Sequence, residues 1–465
     1  MRKSRRDFFR ISALAGLGLA GRNVLNISLQ QAHSQKFNMS GYSAPRLDTV
    51  RIGFIGVGAR GIGAVERMSM IEGVEIKAIC DKLPKAVSKT LEAIKGKGHK
   101  PDTYTDSEEI WKKVCERNDI DLIYTATPWE LHTPIAVYAM EHGKHIAVEV
   151  PAAVTIDECW QLVETSEKTR QHCMMLENCC YDFYELMTLN MARQGFFGDI
   201  VHCEGAYIHD LNEEIIWSKN RFVDMWQLKH IIKRKGNLYP THGLGPLCQV
   251  MDINRGDKMD YMVSISGNDF SLAEKAKLLA SADDFYKPFT GNSFNGNMNT
   301  SMIHTEKGRT IMLQYDISSP RVYTRIQLIS GTKASSLKYP LPGRISTGHE
   351  WLTEEQFKVI EEKYTPAIVK RIGEMAKQVG GHGGMDFLMD WRLIDCLRNG
   401  LPPDQDVYDA ALWSAISPLS ELSVANRSSS VDIPDFTCGS YKTNLPVDIS
   451  MAKGGNTGVR KTQQS

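Results

Sequence analysis

Hydrophobic and polar positions follow two different patterns along the chain, and the pattern changes near residue 178. From Thr49 to about Leu176, short apolar runs alternate with segments that have the apolar spacing of helices. This alternation predicts an α/β domain with a doubly wound parallel sheet over residues 49–178. The predicted strands are Val50–Ile55, Val74–Cys80, Leu122–Thr125, His145–Val148 and Cys173–Leu176. The predicted helices are Ile62–Met70, Lys85–Lys95, Glu108–Cys115, Pro134–Glu141 and Thr155–Arg170.

The second part of the chain, residues 179–465, begins with a predicted helix, Tyr184–Gln194, and continues with longer alternating segments. Alternation over these lengths is typical of strands with one buried face, so we expect an α+β domain with an open, mostly antiparallel sheet. The predicted strands are Ile200–Ile208, Tyr261–Gly267, Thr300–Glu306, Thr310–Asp316 and Thr324–Ser330. Helices return at Asp386–Arg398 and Val407–Ala425, where we expect them to pack beside this sheet. Its free face is a possible homodimer interface.

The first 34 residues have the order of an export signal. The run Ser4-Arg5-Arg6-Asp7-Phe8-Phe9-Arg10 has the form of a bacterial twin-arginine motif, and a modest apolar segment, Ile11–Gly21, follows it. Ala32-His33-Ser34 then offers a small-x-small cleavage site. These features predict a signal peptide over residues 1–34, recognition by the twin-arginine translocase and a periplasmic or secreted mature chain. Residues 35–48 read as a polar linker.

Charge and composition exclude several classes of partner. Lysines plus arginines number 55 and aspartates plus glutamates number 55, so no global charge recruits nucleic acid or an anionic membrane. No later run approaches 18 apolar residues, so we expect no stable membrane insertion. The ten cysteines lack the spacing of a metal site, and we expect no metal. Most lie in apolar patterns typical of buried thiols, with one or two disulfides left open.

A dinucleotide-binding fingerprint, Gly56-Val57-Gly58-Ala59-Arg60-Gly61, stands between the first predicted strand and the first helix. Glycines there allow the backbone to approach a diphosphate, whose charge the helix N-terminus stabilises. Asp81 ends the second strand, twenty residues after Gly61. A carboxylate at that offset holds the ribose hydroxyls of NAD and repels the 2′-phosphate of NADP. Because free NAD is not expected outside the cytoplasm, an exported NAD site predicts a tightly bound, recycled cofactor.

Two further segments fall at the carboxyl ends of strands, where ligands bind in open α/β sheets. They are Thr125-Ala126-Thr127-Pro128-Trp129-Glu130-Leu131-His132 and Glu149-Val150-Pro151, the latter followed by Asn178. With these segments, essentially the whole mature chain resembles the Gfo/Idh/MocA superfamily, which pairs a Rossmann domain with an open-sheet substrate domain. Its members typically read Glu-Lys-Pro at the second segment, with the lysine assisting hydride transfer, and carry an aspartate four residues before a histidine. This chain has Val150 and Leu238 there, so two parts of a dehydrogenase proton relay are missing.

A third segment offers other chemistry. Tyr239-Pro240-Thr241-His242-Gly243-Leu244-Gly245-Pro246 brings together a phenol and an imidazole, and both can act as acid or base. The string closely resembles a motif of glycoside hydrolase family 109, the NAD-dependent α-N-acetylgalactosaminidases. Four more stretches are similar to the same family: Glu204–Asp210, Asp224–Trp226, Ser319–Tyr323 and Gly383–Phe387.

The resemblance also implies site residues. Beyond Gly56, Gly58 and Gly61, it implies NAD contacts at Ala59, Arg60, Asp81, Trp129, Glu130, Leu131, His132, Glu149, Val150, Asn178 and Tyr239. It implies substrate contacts at Tyr207, Gln227, Tyr239, Pro240, Thr241, His242 and Tyr323. Gln227 stands where the family pattern places an arginine, which removes a charged donor to the sugar. Three nearby cations are candidates to compensate: Arg221, Lys229 and Arg234.

The implied activity is hydrolysis of terminal N-acetylgalactosamine glycosides, or of related ones, without a carboxylate pair. NAD⁺ takes a hydride from C3 of the sugar, C2 loses a proton, the C1 group leaves, water adds and the hydride returns. His242 is the expected base at the C3 hydroxyl, and Tyr239 or Tyr323 acts in the C2 or leaving-group proton transfers. One alternative is a periplasmic NAD(P)-dependent sugar oxidoreductase, and a second is a catalytically silent sugar-binding protein.

Overall fold

The computed structural model describes residues 33–219 and 225–460. Most of the predicted signal peptide therefore lies outside the described residues, as do Arg221 and Asp224. Within the described part of the chain, none of the helices is long and apolar enough to cross a membrane. All ten cysteines are free thiols, and nine of them are buried.

The first sheet has six parallel strands in the order β3-β2-β1-β4-β5-β6, the arrangement of a doubly wound dinucleotide-binding domain. The predicted doubly wound parallel sheet is confirmed. Its strands are β1 Val50–Ile55, β2 Val74–Cys80, β3 Asp102–Tyr104, β4 Leu122–Thr125, β5 His145–Val148 and β6 Cys173–Met175. Its helices are α1 Gly61–Met68, α2 Pro84–Ala93, α3 Trp111–Cys115, α4 His132–Glu141 and α5 Ile156–Thr169.

The second sheet has eight strands in the order β13-β12-β11-β7-β10-β9-β8-β14. Only the β7–β10 pairing is parallel among these strands, so the predicted mostly antiparallel sheet is confirmed. Its strands are β7 Ile200–Ile208, β8 Met259–Ser266, β9 Asn299–Thr305, β10 Thr310–Asp316, β11 Leu328–Gly331, β12 Ser335–Leu337, β13 Arg344–Ser346 and β14 Val431–Asp432.

One predicted strand of this sheet, Thr324–Ser330, begins later than expected. Thr324 makes only an isolated bridge to Ile208, and the continuous ladder starts at Leu328. Between them, Ile326 and Gln327 have φ angles of +57° and +31°. This left-handed backbone is unfavourable for side chains such as these and turns the chain out of the extended conformation that a ladder requires.

The remaining helices connect the two sheets as well as covering the second one. They are α6 Phe183–Arg193, α7 Trp226–Lys233, α8 Thr241–Val250, α9 Leu272–Ala282, α10 Glu354–Tyr364, α11 Ala367–Val379, α12 Met385–Asn399 and α13 Val407–Ala425. Helix α12 packs on α1 and β1, and α13 packs on both α5 and β8. We expected the two late helices to pack beside the second sheet. They also contact the first part of the fold, so they join the two sheets through a shared apolar core.

Both ends of the described chain are docked on this core. In the predicted linker, the Gln35 side-chain amide and the Met39 backbone N–H donate to the Tyr408 hydroxyl at 2.7 and 3.1 Å. At the other end, Val459 bridges to Ile71 and the backbone N–H of Arg460 donates to the Met70 carbonyl at 2.7 Å. Residues 35–48 thus pack across the two parts of the fold.

Candidate active site

A cavity of about 800 Å³ lies at the carboxyl ends of the parallel strands, where the second part of the chain covers the first sheet. Gly56 follows β1, Asp81 follows β2, and Glu149 follows β5 at its wall. The opposite wall includes Tyr207 from β7 and His242 from α8. This is the position at which open α/β sheets bind their ligands.

The three glycines of the fingerprint are required for different structural reasons. Gly56 has φ +80°, and a Cβ there would lie 2.9 Å from the backbone of Ala126. A Cβ on Gly61 would lie 2.0 Å from the Gly56 carbonyl oxygen, so glycine is needed for the close start of α1. Gly58 borders the cavity, and a Cβ there would meet no protein atom within 4 Å. Its bare backbone leaves room for a diphosphate to approach, which fits a dinucleotide.

Asp81 is held rigidly beside this loop. One carboxylate oxygen accepts the backbone N–H of Val57 and the other that of Leu83, both at 2.9 Å. The residue also borders the cavity. A fixed carboxylate at the end of β2 is the group that binds ribose hydroxyls in NAD-binding domains.

The segment after β4 joins the cofactor side of the cavity to the other side. The ring of Trp129 stacks on that of Tyr239, with centroids 5.8 Å apart and planes 22° apart. His132 contacts the carbonyl oxygens of Pro151 and Thr127 at 2.7 and 2.8 Å through its two ring nitrogens. Burial lowers the pKa of His132. This histidine therefore ties the loops after β4 and β5 together.

A buried carboxylate orients the predicted catalytic histidine. His242 lies in the first turn of α8, and its Nδ1 is 2.7 Å from Oε1 of Glu177, which follows β6. Burial raises the pKa of Glu177, but the charge and hydrogen bond of His242 lower it more, so the net shift is downward. A charged partner on Nδ1 keeps the proton there and leaves Nε2 as the basic nitrogen available to a ligand.

Glu177 was not among the predicted residues. Leu238, which stands where related dehydrogenases have an aspartate, is fully buried in an apolar cluster that also includes Trp129. The carboxylate that orients His242 comes instead from the residue before Asn178. An available signal was its position directly after a buried parallel strand, at the edge of the sheet where ligand-binding groups gather.

Two tyrosine rings, those of Tyr207 and Tyr239, make edge-to-face contacts with the ring of His242. The centroid of Tyr239 lies 4.9 Å from those of Tyr207 and His242, and Tyr207 lies 5.3 Å from His242. Burial raises the pKa of both phenols well above the usual value for tyrosine. Near neutral pH they are therefore protonated and act as hydrogen-bond donors rather than bases.

Tyr323 lies outside the cavity lining and is linked to it through His209. Its ring packs edge-on against His209 at 4.9 Å, and Nδ1 of His209 is 3.3 Å from the Tyr207 hydroxyl. The Tyr323 hydroxyl accepts a bond from Arg325 at 3.4 Å, and 36% of the residue is exposed. Its place is the rim of the site.

The other predicted residues fall into two groups. Gly61, Pro240 and Thr241 do not border the cavity, and the last two are buried beneath it. The predicted residues that border it are Gly56, Gly58, Ala59, Arg60, Asp81, Trp129, Glu130, Leu131, His132, Glu149, Val150, Asn178, Tyr207, Gln227, Tyr239 and His242.

Gln227 has a cationic neighbour at the cavity wall. Both Gln227 and Lys229 belong to α7 and border the cavity. Arg234 instead forms a salt bridge with Glu421 and donates to the Ser417 hydroxyl at 3.0 Å. Among the described candidates, Lys229 is therefore the one that borders the cavity.

One cluster has the composition of a metal site. Ligand atoms of Glu177, Cys179 and His242 lie within 4.8 Å of one another. Burial raises the pKa of the Cys179 thiol, which keeps it protonated, and its Sγ is 3.6 Å from Oδ1 of Asn178. Within the cluster Glu177 and His242 bond to each other, so its carboxylate already holds the imidazole.

Both parts of the chain resemble known proteins. A family model described as the glycosyl hydrolase 109 C-terminal domain matches residues 181–443, and one for the oxidoreductase-family NAD-binding Rossmann fold matches residues 50–177. An alpha-N-acetylgalactosaminidase of Bacteroides fragilis is 49% identical over 409 residues, covering 86% of this chain and 95% of that protein. A glycosyl hydrolase family 109 protein of Porphyromonas gingivalis is 47% identical over 419 residues, covering 85% and 86%.

Among solved structures, levoglucosan dehydrogenase in complex with NADH and L-sorbose is similar with a TM-score of 0.62. It is 17% identical, and the match covers 84% of this chain and 100% of that one, so it shows a shared fold. The two family models and the two relatives, in contrast, identify both the type of the first domain and the family of the whole chain. The chain belongs to glycoside hydrolase family 109, and it carries an NAD-binding Rossmann domain.

Proposed function

We propose that this glycoside hydrolase removes terminal N-acetylgalactosamine, or a related sugar, by a redox route with no net oxidation. The Glu177–His242 pair beside an NAD cavity carries the proposal, because a basic nitrogen is then held where a sugar hydroxyl would meet the cofactor. In this route C3 is oxidised, C2 loses a proton as the C1 group leaves, water adds at C1, and C3 is reduced. NAD, when bound, accepts the C3 hydride and supplies it again.

The residues present fit NAD. Gly58 leaves its backbone open to the cavity, and Asp81 presents a fixed carboxylate at the end of β2. Glu149, Val150 and Asn178 border the same cavity at the ends of the next strands. Val150 offers no amine for the proton relay of a dehydrogenase, which counts against the sugar oxidoreductase alternative. Tight retention of NAD is part of this proposal.

We assign proton removal from the C3 hydroxyl to Nε2 of His242. Glu177 keeps the other nitrogen protonated and stabilises the imidazolium that forms, as a buried carboxylate does in other base-activating pairs. The pair is formed within the protein before substrate arrives, so the base needs no rearrangement to act.

Protonation of the leaving group fits Tyr239 better than Tyr323. Tyr239 borders the cavity and lies beside His242, whereas Tyr323 stands at the rim. Burial raises the pKa of both phenols, so both are protonated near neutral pH and neither is available as a base toward carbon. Tyr207 lies close enough to share the donor role.

The experiment is turnover of p-nitrophenyl α-N-acetylgalactosaminide by purified protein without added NAD. Nitrophenol release with no accumulation of NADH, and with solvent deuterium entering C2 of the product, supports the proposal. Stoichiometric NADH would indicate a dehydrogenase, and turnover without deuterium at C2 would rule out the elimination. His242→Asn is expected to lower kcat by about 10²–10⁴-fold, while His349→Asn, on an exposed loop, is the matched control.

We further propose that the chain is exported by the twin-arginine route to the periplasm. The support is the Ser4–Arg10 run and the apolar segment after it, both outside the described residues. Replacing Arg5 and Arg6 together with lysine should retain the protein in the cytoplasm, as measured by cell fractionation and intact mass. Equal periplasmic levels of the two forms would contradict the proposal.

A further inference from the structure

A turn of four glycines from the second part of the chain borders the NAD cavity. We call Gly380-Gly381-His382-Gly383-Gly384, between α11 and α12, the glycine turn. The φ angles of its glycines are +93°, +85°, +74° and +106°, and that of His382 is +47°. Gly381 and His382 border the same cavity as Gly58 and Arg60. The turn therefore lies beside the fingerprint loop at the edge of the cavity.

Asp386 fixes the turn to the Rossmann domain. Its carboxylate accepts hydrogen bonds from Arg60 at 2.8 Å, from the Asn178 amide at 2.5 Å and from Nδ1 of His382 at 2.9 Å. The Asp386 side chain is nearly fully buried. Burial raises its pKa, but the bond from His382 and the charge of Arg60 lower it far more, so the carboxylate is charged.

The bond to Asp386 leaves the other nitrogen of His382 available. The ring is 60% exposed, and its Nε2 makes no hydrogen bond with the residues that the structure describes. A ring whose Nδ1 is anchored and whose Nε2 is open presents one polar atom in a set direction.

The charges around Arg60 indicate what Nε2 of His382 could bind. Arg60 follows Gly58 and Ala59, where the diphosphate of a dinucleotide passes, but its guanidinium is already paired with Glu149 at 2.6 Å and with Asp386. Since both bonds neutralise Arg60, a bound diphosphate needs further donors. Nη1 of Arg60 lies 3.4 Å from Nδ1 of His382, so the ring stands next to the same point of the cavity.

We propose that the glycine turn is a cover that retains the dinucleotide, with His382 held between two anions as an imidazolium, so that Nδ1 donates to Asp386 and Nε2 donates to the diphosphate. The ligand class is a nicotinamide dinucleotide diphosphate. The inference rests on the proposed function, in which the cofactor stays bound between turnovers. It adds a cofactor contact from the second part of the chain, so that NAD leaves only when the two parts separate at this point.

The test compares two substitutions that differ in which ring nitrogen they imitate. His382→Gln places an amide nitrogen near the position of Nε2, and His382→Asn places one near Nδ1. The measurement is the rate at which holoenzyme loses NAD after dilution, followed by mass spectrometry of the released cofactor. We expect release from the asparagine variant to be at least tenfold faster than from wild type, and release from the glutamine variant to stay within about threefold.

Two results would overturn the proposal. One is wild-type retention in the asparagine variant, and the other is equally fast release from both variants, which would mean that His382 acts only through Asp386. His349→Asn is the surface control. If wild type itself loses NAD during gel filtration, the retention part of the proposed function fails. The inference is then tested by the Kd of added NAD, which must still be at least tenfold weaker for the asparagine variant.

Discussion

Nδ1 of His242 and Oε1 of Glu177 are 2.7 Å apart, and the side chain of Glu177 has no exposed surface. The two residues are 65 positions apart in the chain and come from different parts of the fold. This buried carboxylate fixes the orientation of the imidazole ring through Nδ1. The catalytic role proposed for the histidine therefore depends on a residue that does not itself border the cavity.

Removing the charge of Glu177 should disable the base while preserving the fold. In Glu177→Gln the amide no longer requires a proton on Nδ1, so we expect kcat to fall by about 10²–10⁴-fold, the range of general acid–base catalysis. The double variant with His242→Asn should be no slower than His242→Asn alone, because the two act as a unit. Glu361→Gln, exposed on α10, is the control. Additive losses in the double variant would contradict a shared role.

Substitution of Tyr239 should depend on the leaving group. If its phenol donates the proton, Tyr239→Phe should lose about 10²-fold more activity on an alkyl glycoside than on the p-nitrophenyl one, since nitrophenolate leaves without protonation. Comparing kcat/KM on the two substrates measures the difference. Equal losses would assign Tyr239 to positioning. Tyr261→Phe, on the exposed face of β8, should affect neither substrate.

Two buried histidines should make the fold sensitive to acid. Burial lowers the pKa of His145 to about 4 and of His172 to about 3, and both are neutral in the folded chain. Unfolded histidine takes up a proton near pH 6.5, so the unfolded state binds more protons below that value and stability is lost as pH falls toward the folded values. In this window each histidine should lower the free energy of unfolding by about 1.4 kcal/mol for every unit by which the pH falls.

Urea denaturation between pH 4.5 and 7 measures this dependence as a slope of unfolding free energy against pH. His145→Asn keeps an acceptor for the backbone N–H of His172, which donates to Nδ1 of His145 at 3.0 Å. This variant should lose about half of the pH dependence of the unfolding free energy that the two histidines cause together. The exposed His142→Asn should retain all of it. An unchanged slope in His145→Asn would mean that other groups dominate acid unfolding.

Restoring the aspartate of related dehydrogenases should damage the fold rather than change the reaction. Leu238 has no exposed surface and lies in an apolar cluster. Leu238→Asp should destabilise by roughly the 3–5 kcal/mol that an uncompensated buried charge costs. Leu278→Asp, at a position 64% exposed on α9, should change stability by less than about 0.5 kcal/mol. Denaturant midpoints give both values, and a stable Leu238→Asp protein with dehydrogenase activity would overturn this account.

Gln227 and Lys229 should differ in their effect on KM. Loss of a neutral hydrogen bond costs about 0.5–1.5 kcal/mol, and of a charged one about 1.5–3 kcal/mol. We therefore expect Gln227→Ala to raise KM by about 2–12-fold and Lys229→Ala to raise it more, with smaller changes in kcat. Steady-state kinetics on the aryl glycoside give both values. A larger effect at Gln227 would show that Lys229 does not replace the arginine of the family pattern.

The long elements of the first sheet were predictable because each is a buried apolar run between turns. Val50–Ile55 and Val74–Cys80, for example, have the predicted bounds. Strand β3 was missed because it is short, polar and at the edge of the sheet, where no apolar pattern is required. The linker was read from its polar composition, but its contact with Tyr408 depends on partners 369 or more residues away.

The site shows the same limit. Residues next to glycines or at strand ends, such as Gly58 and Asp81, are identified by local spacing. Glu177 also follows a strand, but its role comes from a bond to α8 that local sequence does not encode. The glycine turn was noticed only as a family-like stretch, and its place at the cavity follows from the packing of α12 on α1.

The contact of residues 457–460 with the first sheet has a consequence for how the protein is made. The Thr457 carbonyl accepts the Trp391 indole N–H at 3.0 Å, and the Gly458 carbonyl accepts the backbone N–H of Glu72 at the same distance. Arg460 reaches Ser69, 391 residues earlier in the chain. When the ribosome has synthesised the whole Rossmann segment, residues 457–460, which pack against that segment, have not yet been made. Final closure of the first domain must follow synthesis of the last helix instead of accompanying synthesis of the first strands.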